Sequence, residues 1–101
     1  MRTALRRPSA SAGVQAVIAT VRNVHRAVPV NAAAFTHYAW AIHDALAAFD
    51  GPVIELHLSN PSAREAWRST SVVAPVATAT IAGLGGHGYQ LAVAAVARLL
   101  A

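Results

Sequence analysis

The sequence predicts an α/β domain: a parallel β-sheet with helices on its faces. Two patterns lead there. Runs of β-branched and aliphatic residues at 28–30, 53–58 and 77–84 alternate with segments whose apolar residues recur at helical spacing. Strands that alternate with helices in this way build parallel sheets, because a parallel connection needs a crossover.

Taken in order, residues 1–13 are Arg, Pro, Ser, Ala and Gly in composition and predict a disordered leader, so that the folded domain spans 14–101. Val14, Val17, Ile18, Val21, Val24 and Val28 recur at helical spacing with Arg22, Asn23 and Arg26 opposite, which predicts a helix. A short strand follows at Val28–Val30, although Pro29 lacks an N–H and suits a central strand poorly. Thr36 or His37 opens a second helix through Phe49 that buries Ala39, Ile42, Leu46 and Phe49. Asp50-Gly51-Pro52 turns the chain into the Val53 strand. Asn60 caps and Pro61 starts a helix running to about Thr70. Ala77 to Leu84 forms the third strand, and a last helix runs from about Tyr89 to Leu100.

Composition narrows the chemistry. With 101 residues the chain makes one small domain at most. The absence of cysteine removes disulfides and thiolate chemistry and fits a cytoplasmic protein. All eight basic residues are arginine, so a lysine Schiff base is excluded. Five of the eight lie before residue 27, while the first acidic residue is Asp44. No aromatic residue interleaves with those arginines, which argues against a nucleic-acid-binding arm and leaves a solvated leader as the simpler reading. Val72 to Ala97 carries no charge, yet a spanning helix would have to hold four glycines near its middle, so no membrane span is predicted.

Gly83-Leu84-Gly85-Gly86-His87-Gly88 satisfies the G-x-G-x-x-G spacing of a dinucleotide site. Such a site also needs a second strand and an acidic residue about twenty positions on, whereas Arg98 is the only charge after Gly88. A tight turn with close packing explains the glycines better, with His87 lining it. Nor do the five histidines form a metal site: His37 and His43 are six apart and no carboxylate cluster joins them. His25 and His43 read as surface residues.

The chemistry is densest at Val53-Ile54-Glu55-Leu56-His57-Leu58-Ser59-Asn60. In a strand, residues two apart share a face, so Glu55 and His57 stand side by side. A carboxylate there orients the imidazole and favours its protonated form, as a general acid requires. His57 and Ser59 fall at the carboxyl end of the strand, where ligands of open α/β sheets bind. On the residues alone, His57 divides evenly between an acid and a satisfied, partly buried histidine. Arg64 and Arg68, a helical turn apart, could equally be a solvated face.

The stretch resembles the type II 3-dehydroquinate dehydratases of the shikimate pathway, which supplies aromatic amino-acid biosynthesis. Their hallmark, E-[hydrophobic]-H-[hydrophobic]-S-N followed by A-R-E-x-[aromatic]-R, matches Glu55, His57, Ser59, Asn60, Ala63, Arg64, Glu65, Trp67 and Arg68. Asn31 to His37, with Asp44-Ala45-Leu46 after it, is similar to the family's N-x-x-A-[aromatic]-T-H segment. Ala74-Pro75-Val76-Ala77, Ile81 to Gly85 and Gly88-Tyr89 are similar to its last strand and helix. The blocks keep family order and spacing from about Val30 onward.

The resemblance implies a flavodoxin-like sheet and a lyase that converts 3-dehydroquinate to 3-dehydroshikimate without metal or organic cofactor. It implies His57 as general acid, poised by Glu55. The substrate carboxylate is implied to meet the backbone N–H groups of Leu58 and Ser59, with the Ser59 hydroxyl and the Asn31 amide adding hydrogen bonds. His37 and Arg68 would hold ring hydroxyls, and Arg64 would be structural. Asp44 would reach the site of a neighbouring subunit, in an assembly that is a dodecamer of trimers. The family's base, a loop tyrosine, comes from a block of the form G-P-N-x-N-x-L-G-x-R-x-x-x-x-Y-G that residues 1–30 do not contain. The chain therefore resembles the C-terminal two-thirds of the family, with the first strand and helix missing. Ala32-Ala33 replace the family's Pro-Gly. The alternative is a catalytically dead remnant that keeps only ligand binding or subunit association.

Overall fold

The computed structural model describes residues 13–15 and 26–101. Residues 1–12 of the expected leader, most of the first expected helix and His25 lie outside the described residues, and Gly13, expected in the leader, is helical. Residues 13–15 are helical, and Val14 packs against the core.

Three parallel strands form the sheet in the order β1-β2-β3: β1 (Val28–Val30), β2 (Val53–His57) and β3 (Ala79–Ala82). All five residues of β2 are buried, as a central strand with helices on both faces requires. Its alternation divides the core. Val53 joins β1 and the helix α1 (Trp40–Ala47) in a cluster with Ile42, Leu46, Val72 and Val73. Ile54 and Leu56 point to the other face and pack with Ala92 and Val96 of α2 (His87–Leu99). This is the flavodoxin-like arrangement. Pro29 is tolerated because β1 is an edge strand among the described residues. Val28 donates to the Pro52 carbonyl, and the alternation of the strand turns the Pro29 nitrogen away from β2.

Two expected helices differ from the structure. Ala33–His37 is a 3-10 turn, and α1 begins only at Trp40. The turn is held by distant partners: the Thr36 carbonyl accepts from Val72 N–H, and His37 bonds the Thr70 carbonyl. His37 and Asp44 consequently do not share a helix face. Residues 60–70 form two 3-10 turns, Pro61–Ala63 and Ala66–Ser69, instead of one helix. Asn60 does cap the first, accepting from Ser62 N–H, but Arg64 at φ −110°, ψ −148° ends it at once. The segment lacks the recurrent apolar stripe that would hold a helix against a core. The last strand is shorter than expected and the last helix starts two residues earlier. Between them the glycines make the expected turn: Gly83 has φ 84°, and a Cβ on Gly88 would come within 2.9 Å of Leu56 Cδ1. No helix of the described residues is long and apolar enough to cross a membrane.

Candidate active site

The carboxyl end of β2 opens into a cleft of about 310 Å³, lined by Asn31, Ala33, Ala34, His37, His57, Leu58, Ser59, Pro61, Arg64 and Arg68. Six of the residues singled out in the sequence (Asn31, His37, His57, Leu58, Ser59 and Arg68) meet there. The seventh, Glu55, lies beneath His57. Asp44 does not join them: its side chain is 80 % exposed and bonded to His43.

Strand alternation carries Glu55 and His57 to one face, and the imidazole Nε2 lies 2.8 Å from Glu55 Oε2. The carboxylate is enclosed by further donors. Ser71 Oγ donates to Oε2 at 2.6 Å while itself accepting from the Val73 and Ala74 N–H groups, so its proton has one direction to go. Thr80, directly across the ladder from Glu55, donates to Oε1 at 3.2 Å. Burial by itself pushes the Glu55 carboxyl up. The hydrogen bonds from His57, Ser71 and Thr80, together with the His57 charge, outweigh it and hold the group below its ordinary value of 4.5. An anionic Glu55 takes the Nε2 proton as a hydrogen bond and leaves Nδ1 to the other side of the ring.

The backbone beyond His57 is latched by the glycine turn. Gly83 N–H donates to the His57 and Ser59 carbonyls, and Gly85 N–H to the Leu58 carbonyl. The Leu58 and Ser59 N–H groups donate to no backbone carbonyl among the described residues, so both remain available to an anionic ligand. Opposite them, the His37 ring lies nearly parallel to that of His57, with centroids 6.5 Å apart, and its edge contacts Trp67. The His37 Nδ1 atom is 2.6 Å from the Thr70 carbonyl, which accepts and therefore fixes the proton on Nδ1. In the neutral ring Nε2 is then free to accept from a hydroxyl. Arg68 stacks on Trp67 at 4.1 Å from the ring centroid and pairs with Glu65, which steadies its guanidinium at the cleft wall.

Several residues of the site went unread in the sequence. Arg64, read there as structural, lines the cleft beside Arg68 and so adds a second cation. Tyr89 holds the cleft residue Asn31, whose amide donates to the phenol oxygen at 3.2 Å, while Asn31 Oδ1 accepts from Ala33 N–H. Ser71 and Thr80 needed the sheet register to be found; the strand pattern around Thr80 was the only local signal. Ala33 has φ 52°, in the left-handed region that favours glycine, which is the residue the family places there. No group of three or more His, Asp or Glu side chains is arranged for a metal among the described residues.

Residues 9–97 match the family model described as dehydroquinase class II. The chain is 60 % identical over 74 residues to a 3-dehydroquinate dehydratase of Hyphomonas neptunium, covering 73 % of this chain and 50 % of that protein. It is 56 % identical over 66 residues to a 3-dehydroquinate dehydratase of Bacillus licheniformis, covering 65 % and 46 %. The chain thus spans about half the length of these curated relatives. Its fold superposes on the type II dehydroquinase of Propionibacterium acnes with a TM-score of 0.76 and 40 % identity, covering 91 % of this chain and 67 % of that one. Match, fold and the Glu55–His57 arrangement agree: the chain belongs to the dehydroquinase class II family.

Proposed function

We propose that the cleft binds 3-dehydroquinate and supplies the acid half of its dehydration to 3-dehydroshikimate, the lyase step of the shikimate pathway. The observation that carries this reading is the 2.8 Å contact between His57 Nε2 and the enclosed Glu55 carboxylate, at the floor of a cleft whose walls offer two arginines and two free N–H groups. Dehydration removes a proton alpha to the ketone and a hydroxyl beta to it, through an enolate. His57 protonates the departing hydroxyl, and Glu55 keeps the ring aligned as it does so. The substrate carboxylate meets Leu58 and Ser59 N–H, the Ser59 hydroxyl and Asn31. His37 and Arg68 hold ring hydroxyls. No metal or organic cofactor enters this scheme.

The base is a separate matter. The cleft lining among the described residues contains no carboxylate and no tyrosine. Proton abstraction then falls to a group from elsewhere, and the described residues alone lack one partner of the reaction. Asp44 is assigned to a neighbouring subunit's cleft, in the dodecamer of trimers that the family resemblance implies. Its exposure and its absence from the lining of its own cleft support that role. The cysteine-free composition supports a cytoplasmic setting.

Two measurements test the reading: binding of 3-dehydroquinate by nuclear magnetic resonance titration, and formation of the conjugated enone by ultraviolet absorbance. The 101-residue chain should bind without turning over at an enzymatic rate. Fusion to the N-terminal segment of a close relative should restore turnover. Robust turnover by the unfused chain, surviving re-purification, would place a base within it and refute the division of labour. A fused chain that binds yet remains inert would favour the dead-remnant reading.

A further inference from the structure

One hydroxyl beside the Glu55–His57 pair has no freedom in its hydrogen bonding. Ser71 Oγ accepts from the Val73 N–H at 3.1 Å and from the Ala74 N–H at 3.0 Å, which occupies both of its acceptor positions. Its proton is left for Glu55 Oε2, 2.6 Å away, the separation of a hydrogen bond to an ionised carboxylate. The segment that carries Ser71 is fixed in turn. Val72 N–H donates to the Thr36 carbonyl at 2.7 Å, and Val72 and Val73 are buried in the core cluster. While this loop keeps its shape, Ser71 donates to Glu55 and cannot accept from it.

The oxygen it meets is the one that faces His57. The imidazole Nε2 lies 2.8 Å from the same Oε2, while Thr80 donates to Oε1 at 3.2 Å. Anchors on both oxygens fix the carboxylate plane without help from the imidazole, so the ring pairs with an acceptor already in place. The shared proton is also steered. Moved from Nε2 to Oε2, it would turn the charge-assisted bond from Ser71 into one to a neutral hydroxyl oxygen, roughly half as strong. Ser71 cannot rotate to offset that loss. It acts from behind the pair, since it does not line the substrate cleft but borders a smaller cavity of about 200 Å³ with Glu55, His57 and Thr80.

We propose that Ser71 is a positioning residue for the acid: as an obligate donor to Glu55 Oε2 it fixes the carboxylate and keeps the shared proton on His57. Thr80 steadies the other oxygen. The charged and titratable side chains that share the cavity with Glu55 are His57 from its own strand, His37 from the Ala33–His37 turn and Arg68 from the Ala66–Ser69 turn; Ser71 and Thr80 are neutral donors. The inference rests on the dehydratase reading only in calling His57 the acid, because its test reads the Glu55–His57 pair without substrate.

In the full 101-residue chain, Ser71→Ala should move the Glu55 carboxyl titration, followed by carbon-13 nuclear magnetic resonance, to higher pH. A carboxylate that loses a donor is protonated more readily. The imidazole N–H resonance of His57, protected by its bond to Glu55, should exchange faster with solvent and broaden. Ser71→Thr keeps the hydroxyl, and the adjoining cavity has room for the added methyl, so it should restore both signals. Were the hydroxyl only a cap for the Val73 and Ala74 N–H groups, its removal would lower stability and leave the pair untouched; a parental value of either signal therefore overturns the proposal. A Ser71→Thr chain that behaves as Ser71→Ala would overturn it too, by tracing the effect to packing. Should Ser71→Ala fail to fold, Ser71→Cys decides: a thiol is a weak donor, so the Glu55 titration should again move to higher pH, and a parental titration refutes the role.

Discussion

Ala33→Gly should stabilise the protein, and the structure allows the size of the effect to be worked out. Ala33 sits at φ 52°, where the methyl crowds its own backbone. That conformation costs a non-glycine residue about 1–2 kcal/mol. Glycine would return about 0.4–1 kcal/mol of this through the greater freedom of the unfolded chain, leaving a net gain of about 0–1.6 kcal/mol, with about 0.8 at the middle of both ranges. No packing is lost, because the residue is exposed. The N–H that bonds Asn31 Oδ1 is kept, so the Asn31 side chain retains that contact. For a domain of this size each kcal/mol moves the melting temperature by about 4–8 °C, so the mid-range gain should be roughly 3–6 °C. Thermal melting followed by circular dichroism would measure it, with urea unfolding as a check that the m value is unchanged. Ala33→Val should lower the melting temperature, as β-branching makes a left-handed backbone still less favourable. A glycine variant that melts below the parent temperature would refute the strain.

In a fusion to a relative's N-terminal segment, His57→Ala should lower turnover on the order of 10²–10⁴ with little change in affinity, because an acid acts on charge that develops only in the transition state; collapse of affinity with intact turnover would exclude the role. On the role proposed for Arg68, in which the guanidinium holds substrate before and after the chemistry alike, Arg68→Ala should instead weaken binding, seen as a raised KM at similar kcat. Glu55 has its folded-state carboxyl below 4.5, so its stabilising contribution is complete above that value and is lost as pH falls through the lower folded-state value; Glu55→Gln should remove this part of the acid-unfolding profile, and an unaltered profile would contradict the hydrogen-bonded carboxylate. If Asp44 serves a neighbour's cleft, mixing inactive Asp44→Ala and His57→Ala chains of the fused protein should recover measurable activity, and subunit exchange without recovery would count against that assignment. Exposed Tyr38, Trp40 and Val93 predict concentration-dependent self-association of the chain, measurable by sedimentation.

Much of the site was legible locally because a strand repeats every two residues. Glu55 and His57 had to share a face wherever the strand went, and Leu58 and Ser59 had to follow at its end. The segments around the site were less legible. The run 60–70 carries a valid cap at Asn60 and a proline at the first position, which are honest helix signals, yet Arg64 turns extended and the helix never propagates. A start signal states where a helix can begin, but only a buried stripe along its length sustains it. The Ala33–His37 turn failed for a related reason. Its geometry is set by hydrogen bonds to Thr70 and Val72, more than thirty residues away, and no local propensity encodes such partners.

The sequence by itself determined the fold class, the central strand, the glycine turn and the His57–Glu55 pairing, because each follows from periodicity or from residue chemistry over a few positions. Tertiary structure alone decided who completes the pair. Thr80 reaches Glu55 because the β2–β3 register sets them opposite each other, and Ser71 reaches it because the loop before Val72 folds back over β2. It alone decided that Arg64 lines the cleft, that Tyr89 bonds the cleft residue Asn31, that Asp44 leaves the cleft, and that the Thr36 hydroxyl is buried without a protein partner. The reason is physical. Alternation and capping are short-range properties of the backbone, whereas register, enclosure and desolvation arise only when distant segments are brought together.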